Sequence, residues 1–198
     1  NSIMKLKTTL VTLLMSSPVY GAIVVQDNFD YANGDVDLYN GGTGWSAGWE
    51  DGNSTATRRF IVSGNTALYQ GGGSGAQTRQ NRSFTSGITV GVNDTVTLQF
   101  TLIRNETQGG RGIGIDLTQG GAVQYFIGKE INDNVGLKSG LTGATDHAEF
   151  STSGSSEVIT ATFTYDGANT SIVMADSNET LTAYSHTGAF SFDGINLT

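Results

Sequence analysis

Residues 95–104 read Thr-Val-Thr-Leu-Gln-Phe-Thr-Leu-Ile-Arg, and this stretch decides the fold class. Apolar side chains occupy every second position from 96 to 102, and threonine or glutamine fills most positions between them. A period of two is typical of a β-strand that buries one face and exposes the other. We therefore predict a half-buried strand here.

Two further stretches show the same alternation on both sides of a turn. Residues 113–117 and 123–127 flank Gln-Gly-Gly, and residues 159–165 and 172–174 flank Asp-Gly-Ala-Asn. Gly, Asn and Asp are the residues that tight hairpin turns require, so each stretch predicts an antiparallel hairpin. Shorter strands are predicted at 23–26, 59–62, 67–70, 180–184 and 190–197. Roughly ten to thirteen short strands with no helical period indicate a sandwich.

The composition agrees with an all-β chain and excludes several protein classes. The 198 residues include 28 Gly, 26 Thr, 18 Ser and 14 Asn, a balance that favours strands and turns over helices. The chain has no Cys, which excludes a disulfide scaffold. With 10 Lys and Arg against 18 Asp and Glu the net charge is -8, so nucleic acid is not an expected partner. We predict an all-β fold, a two-sheet antiparallel β-sandwich.

The N-terminus has the pattern of a secretory leader. Lys5 and Lys7 precede the apolar run 10–15, and small residues end the pattern. This order is that of a signal peptide, and the apolar run is too short to span a membrane. A buried N-terminal strand or helix is the alternative. We predict residues 1–22 as a short cloning remnant plus a signal peptide, residues 23–198 as one domain, and a secreted or cell-surface location.

One N-terminal motif is specific enough to indicate a family. Residues 27–34 read Asp-Asn-Phe-Asp-Tyr-Ala-Asn-Gly, and Gly-Gly-Thr-Gly-Trp-Ser-Ala-Gly-Trp follows at 41–49. This resembles the start of secreted bacterial concanavalin A-like or LamG-like jelly-roll proteins, many of which carry a PEP-CTERM sorting tail that this sequence lacks. Phe-Ser-Phe-Asp-Gly-Ile at 190–195 is similar to the closing strand of that family. The resemblance implies a jelly-roll sandwich and a lectin-like function.

Three aspartates in these segments predict a structural calcium ion. Asp27 and Asp30 flank Phe29, and Asp193 lies in the closing stretch. The first and last strands of such sandwiches usually lie side by side, which would bring the three carboxylates together. With backbone carbonyls they could supply the roughly six to eight oxygens that Ca²⁺ prefers. The alternative is that these acids only cap turns.

Three aromatic residues are the predicted ligand contacts. Trp45 and Trp49 would face the same side of an extended segment, and Tyr39 lies nearby in the sequence. Aromatic rings stack on the C–H faces of sugars, so this segment could form a glycan platform. The alternative is that Trp45 fills the core of the sandwich.

The sequence contains no complete set of catalytic motifs. Glycoside hydrolysis needs two carboxylates that flank the bond, and the Glu-x-Asp-x-x-Glu run of concanavalin-like glucanases is absent. Arg-Asn-Glu at 104–106 and Tyr-Phe at 125–126 match two motifs of jelly-roll alginate lyases, but neither His147 nor His186 lies in the third. Both histidines are predicted in polar loops without a metal-ligating partner.

These features together predict a secreted, non-catalytic carbohydrate-binding or adhesion module, with a polysaccharide or cell-surface glycan as its partner. Self-assembly into an extracellular filament or coat is the first alternative, through exposed edge strands and an N-terminal run inserted in a neighbouring copy. A polysaccharide lyase or glycoside hydrolase with a non-standard site is the second alternative.

Overall fold

The chain folds into antiparallel β-sheets, as the alternation of its sequence predicts. The structure is a computed structural model and describes residues 4–6, 12–16, 22–23, 25–52, 58–71, 78–103, 113–129, 134–140, 146–151 and 156–198. The strands, in chain order, are β1 Met4–Leu6, β2 Thr12–Ser16, β3 Ala22–Ile23, β4 Gly34–Asp35, β5 Glu50–Asp51, β6 Arg58–Val62, β7 Ala67–Gly71, β8 Gln80–Thr89, β9 Thr95–Ile103, β10 Ile113–Gln119, β11 Ala122–Lys129, β12 Val135–Ser139, β13 Asp146–Glu149, β14 Ser156–Tyr165, β15 Asn169–Ala175, β16 Thr180–Thr187 and β17 Ser191–Leu197. A 3-10 turn at Val36–Leu38 is the only helical element within these ranges, and none of the described residues forms a helix long and apolar enough to cross a membrane.

Two large sheets form the sandwich. One has seven strands in the order β13-β12-β11-β10-β17-β8-β5, and the other has six in the order β16-β15-β14-β9-β2-β3. Their inner faces share one hydrophobic core, in which the rings of Phe163 on β14 and Phe192 on β17 are 5.9 Å apart. A smaller sheet in the order β1-β7-β6-β4 completes the described strands. The predicted all-β sandwich is therefore confirmed.

The strands with alternating sequences lie where they are predicted. β9 runs from Thr95 to Ile103, and its apolar side chains from Val96 to Leu102 are at most 1% exposed. β10 pairs with β11 and β14 with β15, each pair antiparallel as the hairpin turns require. In each case the sequence pattern is local, because both strands of a hairpin are close in the chain.

β8, the next-to-last strand of the seven-stranded sheet, is a strand that the alternation of apolar residues does not predict. It lies between β17 and β5 in the seven-stranded sheet. Gln80 and Arg82 are almost completely buried on the face where the pattern would need apolar side chains. A search for a hydrophobic period therefore does not detect that β8 is buried. The buried polar side chains of β8 need hydrogen-bond partners from elsewhere in the chain.

The predicted leader contains two strands, β1 and β2, and the first residue of β3. β1 pairs with β7, β2 pairs with residues 95–99 of β9, and β3 pairs with β2. The segments of residues 1–22 between these strands lie outside the described residues. Cleavage of the leader stays a prediction from the sequence, and it would remove two strands that are paired in this structure.

The closing strand β17 does not lie beside the N-terminal motif. Its neighbours are β10 and β8, which hold it on both sides within the seven-stranded sheet. The second part of the motif instead pairs with the residue just before its first part, since Thr43 and Gln26 exchange two backbone hydrogen bonds of 2.9 Å. The expected pairing of first and last strands is therefore absent at this motif.

Candidate functional site

The N-terminal motif is built around a buried carboxylate. Asp27 is 0% exposed, and its Oδ1 accepts a hydrogen bond of 2.8 Å from the backbone N–H of Phe29. Its Oδ2 accepts hydrogen bonds from the Tyr31 hydroxyl at 2.7 Å and from Trp49 Nε1 at 3.0 Å. The same oxygen accepts a third hydrogen bond from Arg82. Four donors thus surround one carboxylate, which leaves it fully hydrogen-bonded inside the protein.

Arg82 connects this carboxylate to the loop that precedes β5. It is buried with Asp27 as an ion pair, and it also donates to the carbonyls of Ala47 at 3.0 Å and Gly41 at 2.6 Å. Its guanidinium carbon lies 4.6 Å from the centre of the Trp45 ring and 5.4 Å from that of Trp49. A buried guanidinium needs such a complete set of acceptors, so this cluster fixes the shape of the loop.

The tight turn at Phe29 belongs to the same cluster. Phe29 has a φ of 52°, in the left-handed region that a bulky residue rarely adopts. Its N–H bonds to Asp27 and its ring stacks on Trp49 at 5.6 Å, and these two contacts hold the strained conformation. Burial and the hydrogen bond to Asp27 raise the pKa of Tyr31 above its usual range, so this hydroxyl keeps its proton.

The structure places the three predicted ligand aromatics inside or against this cluster. Trp49 is 2% exposed, so its ring does not offer a face to solvent. Trp45 is partly buried and donates from Nε1 to the Gln26 carbonyl at 2.9 Å, while Tyr39 stacks on Tyr31 at 4.7 Å. Both tryptophans thus serve as packing groups, which is the alternative that the sequence left open for Trp45. Trp49 is more completely buried than Trp45.

The three predicted calcium ligands are not brought together. The carboxylate oxygens of Asp27 already accept hydrogen bonds from protein donors, and Asp30 is exposed. Asp193 lies in a different part of the fold, where its Oδ2 accepts a hydrogen bond of 2.8 Å from the Gly120 N–H. No group of three or more His, Asp or Glu side chains in the described part of the chain is placed to hold a metal ion. The reason is topological, because β17 lies between β8 and β10.

A polar cleft opens on the outer face of the seven-stranded sheet. Its volume is about 470 Å³. Cross-strand pairing puts Glu50 opposite Asn81, Asn81 opposite Asn196, and Asn196 opposite Asp116, so these four side chains cross four neighbouring strands in one row. Directly opposed residues of a sheet point to the same face. The lining residues include Glu50, Arg79, Asn81, Thr118, Asp193 and Asn196.

Asp116 lies beneath this cleft and is its most unusual group. It is 0% exposed, and its Oδ2 contacts Asn196 Nδ2 at 3.2 Å and Arg79 Nε at 3.5 Å. Its Oδ1 is buried and has no hydrogen-bond partner within the described part of the chain, and the same holds for Oδ1 of Asn81. Burial raises the pKa of Asp116 from its ordinary 3.8 to about 6. A buried carboxyl with an unused oxygen beside a cleft is a typical mark of a functional site.

The charged groups around the cleft have an excess of carboxylates over guanidinium groups. Each of the two arginines that line the cleft forms an ion pair with a carboxylate: Arg79 with Asp116, and Arg82 with Asp27. Glu50 and Asp193 add negative charge at the same surface. With amides at its centre, the cleft offers donors and acceptors together, which suits a ligand rich in hydroxyl groups better than an anion.

A second cluster joins the two histidines, which the sequence places in separate loops. Both lie in strands instead, His147 in β13 and His186 in β16. His147 stacks on Tyr184 with 3.7 Å between ring centres, and the Tyr125 hydroxyl is hydrogen-bonded to His186 Nδ1 at 2.9 Å. Burial raises the pKa of Tyr125 to about 12. Since β13 and β16 are edge strands of the two large sheets, this cluster closes one side of the sandwich.

Of the two lyase-like motifs, one can be placed. Tyr125 takes part in the histidine cluster, whereas Phe126 points to the opposite face of β11 and is also buried. The Arg-Asn-Glu motif at 104–106 lies outside the described residues.

Comparisons with protein-family models, with curated proteins and with solved structures give no match to this chain. The resemblance to concanavalin A-like proteins therefore rests on the residues quoted for it.

Proposed function

We propose that this chain is a secreted, non-catalytic module that binds an uncharged glycan in the polar cleft. The observation that carries the proposal is Asp116, a buried carboxyl beneath the cleft with one oxygen that accepts no hydrogen bond from any described residue. Such a group destabilises the fold, so its presence needs a reason other than stability. The cleft above Asp116, which is lined by amide and carboxyl groups, supplies a functional reason.

Hydrogen-bonding capacity supports a sugar as the ligand. Asn81 and Asn196 each present an amide that can donate and accept, and Thr118 adds a hydroxyl. A sugar ring offers neighbouring hydroxyls that do the same. Trp45 lies behind the cleft, because its ring packs 5.3 Å from that of the lining residue Phe84. It can therefore support the cleft wall.

The charge of the cleft supports an uncharged glycan over an acidic one. The guanidinium groups that would attract uronates or sulfates already lie beside buried carboxylates. Glu50 and Asp193 would repel an anion at the same surface, and the net charge of -8 adds to that repulsion. The finer fold assignment, a jelly roll of concanavalin A-like type, is part of the same proposal and agrees with two large antiparallel sheets.

Replacing Asn81 with alanine is expected to weaken glycan binding at least about tenfold, a loss of about 1.4 kcal/mol. Asn81 lines the cleft, and its carbonyl oxygen has no hydrogen-bond partner among the described residues, so the substitution removes a polar group of the lining without breaking a hydrogen bond of that oxygen. The measurement is titration calorimetry against the polysaccharide selected from a panel of neutral and acidic glycans. Asn178→Ala is the matched control, because Asn178 is exposed in the turn before β16.

Three results would contradict the proposal. One is that no glycan of the panel binds, and the second is that Asn81→Ala binds as tightly as the unaltered chain. The third is the release of reducing ends or unsaturated products during incubation, which would favour the lyase or hydrolase alternative. Trp49→Ala is not a useful variant here, because Trp49 is buried and its loss would disturb the fold.

Calcium binding stays a separate proposal from the sequence. Any such ion would use Asp30 or Asp193 with backbone oxygens, because the oxygens of Asp27 already accept four hydrogen bonds. A structural Ca²⁺ stabilises the folded state that binds it, so EDTA should lower the melting temperature and added Ca²⁺ should restore it. A melting temperature that EDTA does not change would reject a structural role for calcium.

A further inference from the structure

We propose that removal of the predicted leader opens one edge of β9, and that a second copy of this chain pairs there, β9 against β9. The proposal rests on the predicted leader and not on glycan binding. It extends the self-assembly alternative to a defined strand and a defined partner.

The edge is covered by the leader itself in this structure. β2 pairs antiparallel with residues 95–99 of β9, with Leu14 opposite Thr97 at the centre of the five pairs. β14 holds the other edge of β9 along its length. Loss of residues 1–22 would therefore expose the backbone N–H and C=O groups of β9 on one side only.

This edge has none of the features that protect natural sheet edges. Between Thr95 and Ile103 there is no proline and no charged residue. β9 pairs with β14 at every position from Thr95 to Ile103 without a register shift, so this strand has no bulge. Edge strands without charge, proline or bulge pair readily with another strand.

The remaining N-terminus is too short to fill the gap within one copy. Val25 is buried in the core, and Gln26 is tied by two backbone hydrogen bonds to Thr43. After loss of residues 1–22 only residues 23 and 24 precede Val25, against the five positions that β2 occupies. A strand from another molecule can cover the whole edge.

Symmetry points to β9 itself as the incoming strand. The edge accepts an antiparallel partner, and a two-fold axis pairs a strand antiparallel with its own copy. If the pairing keeps the centre of the β2 register, Thr97 faces the partner subunit's Thr97. Their uncharged side chains do not repel each other across the axis.

The test compares the full chain with the chain that a bacterium has exported. Mass spectrometry of the intact protein identifies the processed chain, and light scattering measures its mass in solution. We expect the processed chain to have twice the mass of one copy, and the full chain retained in the cytoplasm to be monomeric. A monomeric processed chain overturns the proposal, and so does an exported chain that retains residues 12–16.

Charge substitutions at the axis test the register. Thr97→Lys and Thr97→Glu should each lose the dimer, because like charges would face each other. Mixing the two variants should restore it, which also shows that both are folded. Thr164→Lys is the control, since Thr164 is exposed on the neighbouring strand β14 away from the edge, and it should stay dimeric. Dimers of Thr97→Lys alone, or no dimer in the mixture, would reject the β9 pairing.

Discussion

The Asp27→Ala variant is expected to be less stable than the unaltered chain by about 3–5 kcal/mol. The substitution leaves the guanidinium of Arg82 buried without its carboxylate, and it also removes the acceptor of Tyr31 and Trp49. A buried donor or charge that loses its partner cannot turn to water. The free energy of unfolding, measured by urea denaturation, checks this result.

Asp35→Ala is the matched control for that substitution. It breaks the ion pair between Asp35 and Arg59, whose atoms are 2.8 Å apart but whose side chains are 31% and 35% exposed. Ion pairs so open to solvent contribute about 0–1 kcal/mol. Equal losses of stability in the two variants would mean that the Asp27 cluster is not the centre of the loop fold.

Replacing Asp116 with asparagine should stabilise the protein at pH 7.5, by up to about 3 kcal/mol at about 1.4 kcal/mol per pKa unit. The pKa of Asp116 is about 6 in the folded chain against an ordinary 3.8. Between these values the folded protein holds a proton that the unfolded chain has released, so stability falls as the pH rises from about 4 to about 6. Asparagine removes this dependence and keeps an acceptor for Asn196.

The difference in stability between Asp116→Asn and the unaltered chain should therefore be small at pH 4 and largest above pH 7. Thermal or urea unfolding across this range checks it, and taking the difference cancels the titration of the other carboxyls. Asp30→Asn is the control, because Asp30 is exposed and its replacement should change stability by less than about 0.5 kcal/mol. An Asp116→Asn variant that loses stability at every pH would show that Arg79 and Asp116 form a net stabilising pair.

The same substitution links stability to function. If the cleft binds a glycan through the groups above Asp116, the more stable variant should bind it more weakly. Residues kept at a cost in stability are concentrated where a protein acts. A stabilised variant that binds the glycan as tightly as the unaltered chain would show that the glycan does not bind above Asp116.

The N-terminal motif shows how residues that stand out in a sequence can form a buried cluster. The sequence singles out Asp27, Trp45 and Trp49 as unusual, and all three do carry a special arrangement. The arrangement depends on Arg82, which is 55 positions from Asp27 and belongs to a strand that no apolar pattern reveals. The predicted ligand contacts are therefore placed mainly as packing groups, while the cleft lies on the other side of Arg82.

By itself the sequence determined the all-β class and the strands with local alternation, such as β9 and the β10–β11 and β14–β15 hairpins. Burial on one face of a strand leaves a period of two, and a tight turn needs particular residues, so both signals are local. Only the tertiary structure decided the burial of β8, the surroundings of Asp27 and the row from Glu50 to Asp116. Polar residues are buried or brought together there by strand pairs distant in the chain. No local pattern records which distant donor will satisfy a buried carboxylate.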